Sequence, residues 1–216
     1  MEKYLMKFDQ IIFDFDGVIL NSHKIKTQAF YEIFKKYGKK IATKSKNYHI
    51  KNVGVSRYIK FKYILKYFLK KEINDKEINN LSLEFRKICL KKIKKLKIPK
   101  KLVKFFKTKY KKYSFFISTG TPQKEIESIL KLKKIHKYFK KIYGSPLTKI
   151  QHIKKIKKKT LKTLYIGDSY EDYISSKKTN INFLLKIHKE NKKIFKDKKV
   201  KKIVNFNNLE KNFDFY

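Results

Sequence analysis

The stretch Gln10-Ile-Ile-Phe-Asp-Phe-Asp-Gly17 decides the fold of this chain. Its apolar run shows no polar alternation, which is typical of a strand buried on both faces of a parallel sheet. Two carboxylates, Asp14 and Asp16, follow directly, and Gly17 then allows a tight turn. Ligands of open α/β sheets bind beyond the carboxyl ends of the strands. The stretch therefore predicts a core strand that ends in a functional site.

Similar apolar runs recur further along the chain and end at small or polar residues. They are 113–118 (YSFFIS), 141–145 (KIYGS), 163–168 (TLYIGD) and 181–185 (INFLL). Amphipathic stretches of helical length accompany them, at 100–110, 122–132, 146–159 and 169–179. Strands that alternate with helices favour right-handed βαβ units. We therefore expect an α/β fold with a Rossmann-like core, its parallel sheet flanked by helices, and an added edge strand within 200–206.

Residues 20–95 interrupt this alternation. Helical periodicity is visible at 24–37, 57–69 and 75–94, with no convincing strand between these segments. We interpret the region as an inserted α-helical cap domain. Residues 1–19 and 96–216 would then form the α/β core domain.

The composition is strongly basic, with 58 Lys+Arg against 18 Asp+Glu and a formal net charge of +40. Such a charge often indicates nucleic-acid binding, but only Arg57 and Arg86 are arginines, and phosphate-binding proteins usually use arginine. Lysine, isoleucine, asparagine, phenylalanine and tyrosine all have A/T-rich codons, so an A/T-rich genome would produce this bias without selection for binding. We therefore do not expect nucleic acid as a partner. The 41% of hydrophobic residues exclude a disordered polycation.

Other features concern the compartment of the protein. Cys89 is the single cysteine and cannot form an intramolecular disulfide, so we expect a reducing cytoplasm. The first ten residues lack the apolar region of a signal peptide, and no apolar stretch approaches 18 residues, so we expect no membrane span. The patterns are compatible with a monomer or a dimer.

A second acidic group follows the predicted fourth strand, where Asp168 and Asp172 occur in the sequence Gly-Asp-Ser-Tyr-Glu-Asp. Brought together with Asp14 and Asp16 at the end of the first strand, these carboxylates would form a hard oxygen site suited to Mg²⁺. The alternative for Asp168 is a structural role as the N-cap of the next helix.

Four motifs in order carry a resemblance to a known family. Asp14-Phe-Asp-Gly-Val resembles the DxDG signature of the haloacid dehalogenase (HAD) superfamily. Residues 117–120 (ISTG), 144–149 (GSPLTK) and 167–172 (GDSYED) resemble its second, third and fourth motifs. A cap between the first two motifs corresponds to the C1 arrangement of phosphoglycolate phosphatases and β-phosphoglucomutases.

The resemblance implies a role for each motif residue. Asp14 would be the nucleophile and Asp16 the general acid/base, which points to phosphorus chemistry. Ser118 would bind the transferring phosphoryl oxygens, with Thr119 as the alternative hydroxyl. Lys149 would neutralise the nucleophile and the phosphate. Mg²⁺ would be held by Asp14, the Asp16 backbone carbonyl and Asp168, with Asp172 in support, and Gly17 and the backbone N–H groups of Thr119 and Gly120 would lie against the substrate.

The cap contributes one further candidate, because Gly54 and Arg57 resemble the G-x-S-R element that faces the active site in β-phosphoglucomutase-like caps. An arginine in a chain that otherwise uses lysine suggests recognition of a phosphate or carboxylate. The alternative is that Ser56 caps a helix and Arg57 is only its first turn. His49 could assist Arg57, and the other histidines, His23, His136, His152 and His188, have no assigned role.

These features predict an Mg²⁺-dependent phosphatase that hydrolyses a small phosphorylated metabolite, such as a sugar phosphate or phosphoglycolate, through an aspartyl phosphate. One alternative is a phosphomutase of the β-phosphoglucomutase type. An alternative from another class is a basic nucleic-acid-binding protein with a vestigial HAD core.

Overall fold

The structure is a computed structural model that describes residues 8–215, with side chains described as far as Phe213. Its centre is a six-stranded sheet in which every neighbouring pair is parallel, in the order β3-β2-β1-β4-β5-β6. The strands are β1 Gln10–Phe13, β2 Ser114–Pro122, β3 Lys141–Ser145, β4 Thr163–Gly167, β5 Asn182–Lys186 and β6 Lys201–Ile203. The predicted α/β fold with a parallel sheet is confirmed.

Eight α-helices accompany the sheet in the described part of the chain. Four lie between β1 and β2: α1 His23–Phe34, α2 Lys39–Lys51, α3 Arg57–Tyr63 and α4 Asp75–Ile93. The other four are α5 Lys100–Lys109, α6 Gln123–Leu132, α7 Lys149–Ile156 and α8 Tyr170–Lys178. The chain divides into two compact units, one made of the chain up to Leu20 and from Ile98 onward, and the other of Asn21–Lys97.

The two faces of the sheet bury different side chains. On one face, Phe13 of β1 packs edge-to-face on Phe106 of α5 and on Phe115, with ring centroids 5.1 and 5.7 Å apart. On the other, Ile12 and Tyr165 belong to a buried cluster that contains residues of α7 and β5. Successive side chains of a strand point to opposite faces. Asp14, which follows Phe13, therefore leaves β1 on the α7 side of the sheet.

The unit Asn21–Lys97 has its own aromatic core. Phe30 of α1 lies 5.3 Å from Phe61 of α3 and 5.1 Å from Phe85 of α4, measured between ring centroids. The helix predicted over 57–69 is α3 followed by a π-helical turn, Ile64–Phe68. Cys89 is buried in α4.

Helix α2 was not predicted from the sequence. Its buried residues are Ala42, Ser45 and His49, which have helical spacing but little apolar character. The remaining positions are mainly lysine and other polar residues, so the hydrophobic pattern that reveals an amphipathic helix is absent.

Candidate active site

Asp14 lies at the centre of the candidate site, directly after β1 and between β2 and β4. Its backbone N–H donates to the carbonyl of Ile166 at 2.9 Å, which extends the pairing with β4 by one residue. Its side chain is almost fully buried. Gly17 then turns the chain with a φ of 84°, a conformation that favours glycine, and its N–H donates to the carbonyl of Leu20 at 2.8 Å. The sheet and this turn fix the carboxylate at the edge where parallel strands end.

Lys149 is the cationic partner of Asp14. It is the first residue of α7, whose N-terminus is fixed by a capping box between Thr148 and Gln151. Its buried Nζ lies 3.1 Å from Asp14 Oδ1 and 2.5 Å from Asp172 Oδ1. Burial by itself would lower the pKa of Lys149, but Asp14 and Asp172 outweigh it and raise that pKa well above its usual value. The ammonium group therefore stays charged between two carboxylates.

Both carboxylate oxygens of Asp172 accept hydrogen bonds from the protein. Its Oδ2 accepts hydrogen bonds from Ser169 Oγ at 2.5 Å and from the backbone N–H groups of Asp168 and Ser169 at 3.3 and 3.0 Å. Its Oδ1 accepts from Lys149 and from the hydroxyl of Tyr165. Because protein donors already engage both oxygens, the contacts favour Asp172 as a residue that positions Lys149. They also show that Ser169, rather than Asp168, caps α8.

The carboxylates of Asp14, Asp168 and Asp172 form an acidic cluster, in which one oxygen of each lies within 4.8 Å of the others. Burial, together with the charges of Asp172 and Asp168, raises the pKa of Asp14 well above its usual range despite the opposing effect of Lys149. Asp14 Oδ1 is buried, and among the described residues its contact with Lys149 Nζ at 3.1 Å is an ion pair that lacks hydrogen-bond geometry. A hard divalent cation would satisfy this oxygen and offset the clustered negative charge, so the residues fit Mg²⁺.

Asp16 lies beside this cluster rather than in it. Its carboxylate accepts a hydrogen bond from Thr121 Oγ1 at 3.1 Å, which connects the turn after β1 to the end of β2. The side chain is partly exposed. An accessible carboxyl group next to a buried one suits a residue that exchanges protons with a ligand.

Ser118 and Thr119 are both buried within β2, where its register with β3 begins to shift, but their hydroxyl groups have different partners. Ser118 Oγ lies 3.0 Å from His152 Nδ1, and His152 Nε2 lies 3.2 Å from the carbonyl of Gly144. Burial lowers the pKa of His152 to about 4, so its imidazole is neutral near pH 7. A carbonyl only accepts, so Nε2 carries the proton and Nδ1 accepts from Ser118. The proton of Ser118 is therefore engaged, whereas Thr119 Oγ1 acts as acceptor for the Thr121 N–H at 3.2 Å and retains its own proton.

The loop after β5 reaches Asp168. His188 Nε2 lies 2.8 Å from Asp168 Oδ2, and His188 Nδ1 lies 2.9 Å from Glu190 Oε2. The buried Asn191 side chain donates to the Asp168 carbonyl at 2.8 Å and to the Lys186 carbonyl at 3.0 Å. We call residues 186–191 the Asp168 loop. It holds both the backbone and the carboxylate of Asp168.

In the unit Asn21–Lys97, Arg57 is buried and has partners within that unit. Its guanidinium lies 4.5 Å from the ring centroid of Phe85, and its Nη1 donates to the Ser82 carbonyl at 3.4 Å. As the alternative placed them, Ser56 occupies the N-cap position of α3 and Arg57 begins its first turn, but the Ser56 side chain makes no capping hydrogen bond. Gly54 has a φ of 91°, which explains the need for glycine there.

His49 belongs to a separate buried group in the unit Asn21–Lys97. It stacks on Phe30 with centroids 4.3 Å apart, and Lys60 Nζ lies 3.1 Å from its Nδ1. Lys60 also donates to the Asn52 carbonyl at 3.0 Å. Burial and the charge of Lys60 lower the pKa of His49 well below its usual value. These contacts give His49 and Lys60 a structural role at the start of the turn that contains Gly54.

The family of the chain follows from comparison with known proteins. The family model described as haloacid dehalogenase-like hydrolase matches residues 11–186, which include all four motifs and most of the sheet. The chain belongs to the haloacid dehalogenase-like hydrolases. No curated protein matches the sequence significantly. Within residues 8–215, no helix combines the length and apolar character that crossing a membrane requires.

Solved structures share the haloacid dehalogenase-like fold with this chain. A β-phosphoglucomutase from Clostridium difficile is 18% identical, with a TM-score of 0.73 and coverage of 97% of this chain and 98% of that one. A predicted phosphoglycolate phosphatase from Haemophilus somnus is 16% identical, with a TM-score of 0.70 and coverage of 96% and 98%. A predicted phosphatase from Clostridium acetobutylicum is 17% identical, with a TM-score of 0.68 and coverage of 96% and 97%.

The structure adds site residues that sequence reasoning missed. Tyr165 lies within an apolar strand run, and a buried tyrosine usually needs a partner for its hydroxyl group, which could have suggested a contact with the site. His152 follows Lys149 by three residues and so lies on the same side of α7. The Asp168 loop has no comparable signal, because its hydrogen bonds depend on where the chain goes after β5.

Proposed function

We propose that this hydrolase is a phosphatase that cleaves the phosphoric monoester of a small metabolite through attack by Asp14. The observation that carries the proposal is the buried contact of Lys149 with both Asp14 and Asp172 at the carboxyl edge of the sheet. A buried carboxylate paired with a fixed cation is suited to attack on an anionic phosphate, because the cation reduces the repulsion between the two negative groups.

The proposed roles follow from the contacts of each residue. Asp14 attacks phosphorus with one carboxylate oxygen, and the bond from phosphorus to the leaving oxygen breaks, which gives an aspartyl phosphate. Asp16, oriented by Thr121, donates a proton to the leaving oxygen and later removes one from the water that hydrolyses the intermediate. The Thr119 hydroxyl and the backbone N–H groups of Thr119 and Gly120 bind the transferring oxygens.

Asp14, Asp168 and the Asp16 carbonyl would hold Mg²⁺, with Asp172 in support. When bound, this ion supplies positive charge that stabilises the phosphoryl oxygens. Lys149 supplies a second, permanent positive charge, and Asp172 and Tyr165 keep its ammonium group in place.

The substrate proposed is a sugar phosphate or a phosphoglycolate-like compound. The solved structures named as phosphoglycolate phosphatase and β-phosphoglucomutase support this class. We propose that Gly54 and Arg57 of the cap contribute to substrate recognition. In the described structure, the Ser82 carbonyl and the Phe85 ring already orient the guanidinium of Arg57. We further propose that the protein acts in the cytoplasm as a monomer or dimer.

A phosphate-release assay with Mg²⁺ on a panel of phosphorylated metabolites tests the proposal. We expect turnover of at least one sugar phosphate or phosphoglycolate, and a loss of about 1000-fold or more in kcat for Asp14→Asn. Asp197→Asn, which changes an exposed carboxylate, is the matched control and should keep full activity. Phosphate transfer between two positions of a sugar without net release would instead indicate the mutase. Wild-type levels of release in Asp14→Asn would contradict the proposed nucleophile.

A further inference from the structure

A cleft at the amino ends of the strands has no part in the proposed function. It opens between the last turn of α8 and the first residues of β5 and β6, and it encloses about 390 Å³. Asn182, which begins β5, and Lys201, which begins β6, both line it. Because these strands are parallel to β4, the acidic cluster lies at the other end of the sheet. We call this space the amino-end cleft, and its volume accommodates a small organic ligand.

The floor of the amino-end cleft is apolar and partly aromatic. Phe183 is buried there, and the centroid of its ring lies 5.8 Å from that of Tyr173. Ile181 and Val200 are half-buried and pack against the same core cluster as Phe183. Side chains that the core already holds lose little conformational freedom when a ligand covers them. The floor is therefore suited to a planar apolar group such as the ring of a nucleobase.

Three lysines from different segments surround this floor: Lys177 of α8, Lys199 before β6 and Lys201 of β6. The ammonium group of Lys177 lies 5.9 Å from the centroid of the Tyr173 ring, so a positive charge stands directly beside the apolar floor. Asn182 adds an exposed amide group, and none of the described residues that line the cleft is acidic. The charge of the cleft is therefore complementary to a ligand with two or more negative charges.

We propose that the amino-end cleft is a second ligand site, which binds an organic anion with a planar ring and a diphosphate group, as in a nucleoside diphosphate. The ring would cover the floor beside Tyr173, and the phosphates would contact the three lysines. An inorganic anion would leave the apolar floor uncovered, and a neutral nucleoside would leave the lysines without a counter-charge. The proposal uses neither Asp14 nor Lys149, so it stands or fails independently of the proposed phosphatase activity.

Titration calorimetry with ADP tests the proposal directly. The buffer contains about 0.15 M NaCl, which screens long-range attraction, and EDTA, so that the proposed Mg²⁺ site does not contribute. We expect ADP to bind at least about 10-fold more tightly than pyrophosphate or adenosine, because each of these makes only part of the contacts. Pyrophosphate binding as tight as that of ADP would mean that the lysines attract any anion, and would overturn the proposal. Adenosine binding as tight as that of ADP would also overturn it.

Variants of equal charge distinguish the cleft from the general attraction of a chain with a net charge of +40. The test variant carries Lys177→Ala, Lys199→Ala and Lys201→Ala. The matched control changes three exposed lysines of α5 that do not line the cleft, with Lys101→Ala, Lys104→Ala and Lys107→Ala. We expect the test variant to bind ADP about 10-fold or more weakly than wild type, and the control to differ from wild type by less than about 3-fold. Equal losses in the two variants would contradict a specific site.

A single substitution provides a milder test of the same cleft. Asn182→Asp adds a carboxylate with almost no change in shape and should weaken ADP binding about 3- to 10-fold by repulsion. Asn79→Asp, at an exposed position of α4, adds the same charge elsewhere and should bind ADP like wild type. Urea unfolding of each variant establishes that it is folded.

Photolabelling locates the bound nucleotide. With 8-azido-ADP, mass spectrometry of the labelled protein should find the label within 173–183 or 199–201, the two segments that line the amino-end cleft. Unlabelled ADP in excess should prevent the labelling. Label confined to the segments around Asp14 and Lys149 would place ADP in the candidate active site and would overturn the proposal.

Discussion

At the scale of the residue, one hydrogen bond distinguishes the adjacent hydroxyl groups of Ser118 and Thr119 as candidate phosphate ligands. Position after an apolar run favoured Ser118 as the phosphate ligand, and the sequence offered no means of locating protons. In the structure, Ser118 donates to the neutral His152, which is held by the Gly144 carbonyl. Which of the two hydroxyl groups can donate to a phosphoryl oxygen therefore depends on the tautomer of His152, which is 34 residues from Ser118 in the sequence.

Thr119→Ala should lower kcat/KM about 10- to 100-fold, because a donor to the transferring oxygens is lost. Thr119→Ser should restore most of this activity. Ser118→Ala should change kcat/KM less than about 3-fold but lower the free energy of unfolding by about 1–3 kcal/mol, because it leaves buried His152 without a donor. Steady-state kinetics and urea unfolding of the three variants check this. A larger kinetic loss in Ser118→Ala than in Thr119→Ala would restore Ser118 as the phosphate ligand.

At the scale of the element, α7 contributes Lys149 to the candidate site and is bound to the sheet through His152. Lys149 and His152 are three residues apart, so one side of α7 carries both the proposed catalytic cation and the histidine bound to β2 and β3. The amphipathic pattern predicted a helix here. It could not predict that the helix begins at Lys149 itself, since the capping box of Thr148 and Gln151 sets that start. The approximate position of α7 was thus predictable, and its exact register was not.

The histidine on α7 predicts a pH dependence of stability. The pKa of His152 is about 4 when folded and near 6.5 when unfolded, so the unfolded chain binds more protons between these values. The contribution of neutral His152 is complete above pH 6.5 and is lost as the pH falls towards 4, amounting to about 3 kcal/mol. Urea unfolding of wild type and His152→Asn from pH 7 to pH 4 measures it. The variant should lose less stability over this interval, and parallel curves would contradict the assignment.

Other elements show why pattern reasoning succeeded for strands and failed for α2. The core strands are continuous apolar runs because both faces of the sheet are covered, and such runs are easy to recognise. Helix α2 instead buries Ala42, Ser45 and His49, small or polar residues that pack against neighbours without an apolar stripe. A helix that packs through small or polar side chains shows no amphipathic pattern of hydropathy, so the pattern does not predict it.

At the scale of the whole molecule, the net charge of +40 acts on stability and on substrate capture. Like charges repel in the compact state, and salt screens this repulsion. Raising NaCl from about 0.05 to 0.3 M should therefore raise Tm by several degrees and lower kcat/KM for an anionic substrate up to about 10-fold, with kcat unchanged. Differential scanning calorimetry and kinetics over this range test both effects. Sucrose at equal osmolality is the control, and a fall of Tm with salt would contradict the expectation.

The path of the whole chain also determines which residues of the candidate site could be predicted from the sequence. The four acidic residues and Lys149 follow recognisable strands or precede a helix, so the sheet brings together most residues that the motifs identify. The Asp168 loop is different, because its contacts arise between residues 20 positions apart that share no periodicity. Its role became visible only from the distances between His188, Glu190 and Asp168.

The position of β1 has a consequence for synthesis of the chain on the ribosome. Gln10 of β1 pairs with Ser114 and with Thr163, so the strand emerges more than a hundred residues before its first partner. Asn21–Lys97, with its own aromatic core, is complete before either partner is made. Contacts this distant in sequence form slowly. The nascent protein must therefore keep β1 and the proposed nucleophile Asp14 unpaired while Asn21–Lys97 emerges, and the candidate site is among the last parts of the molecule to assemble.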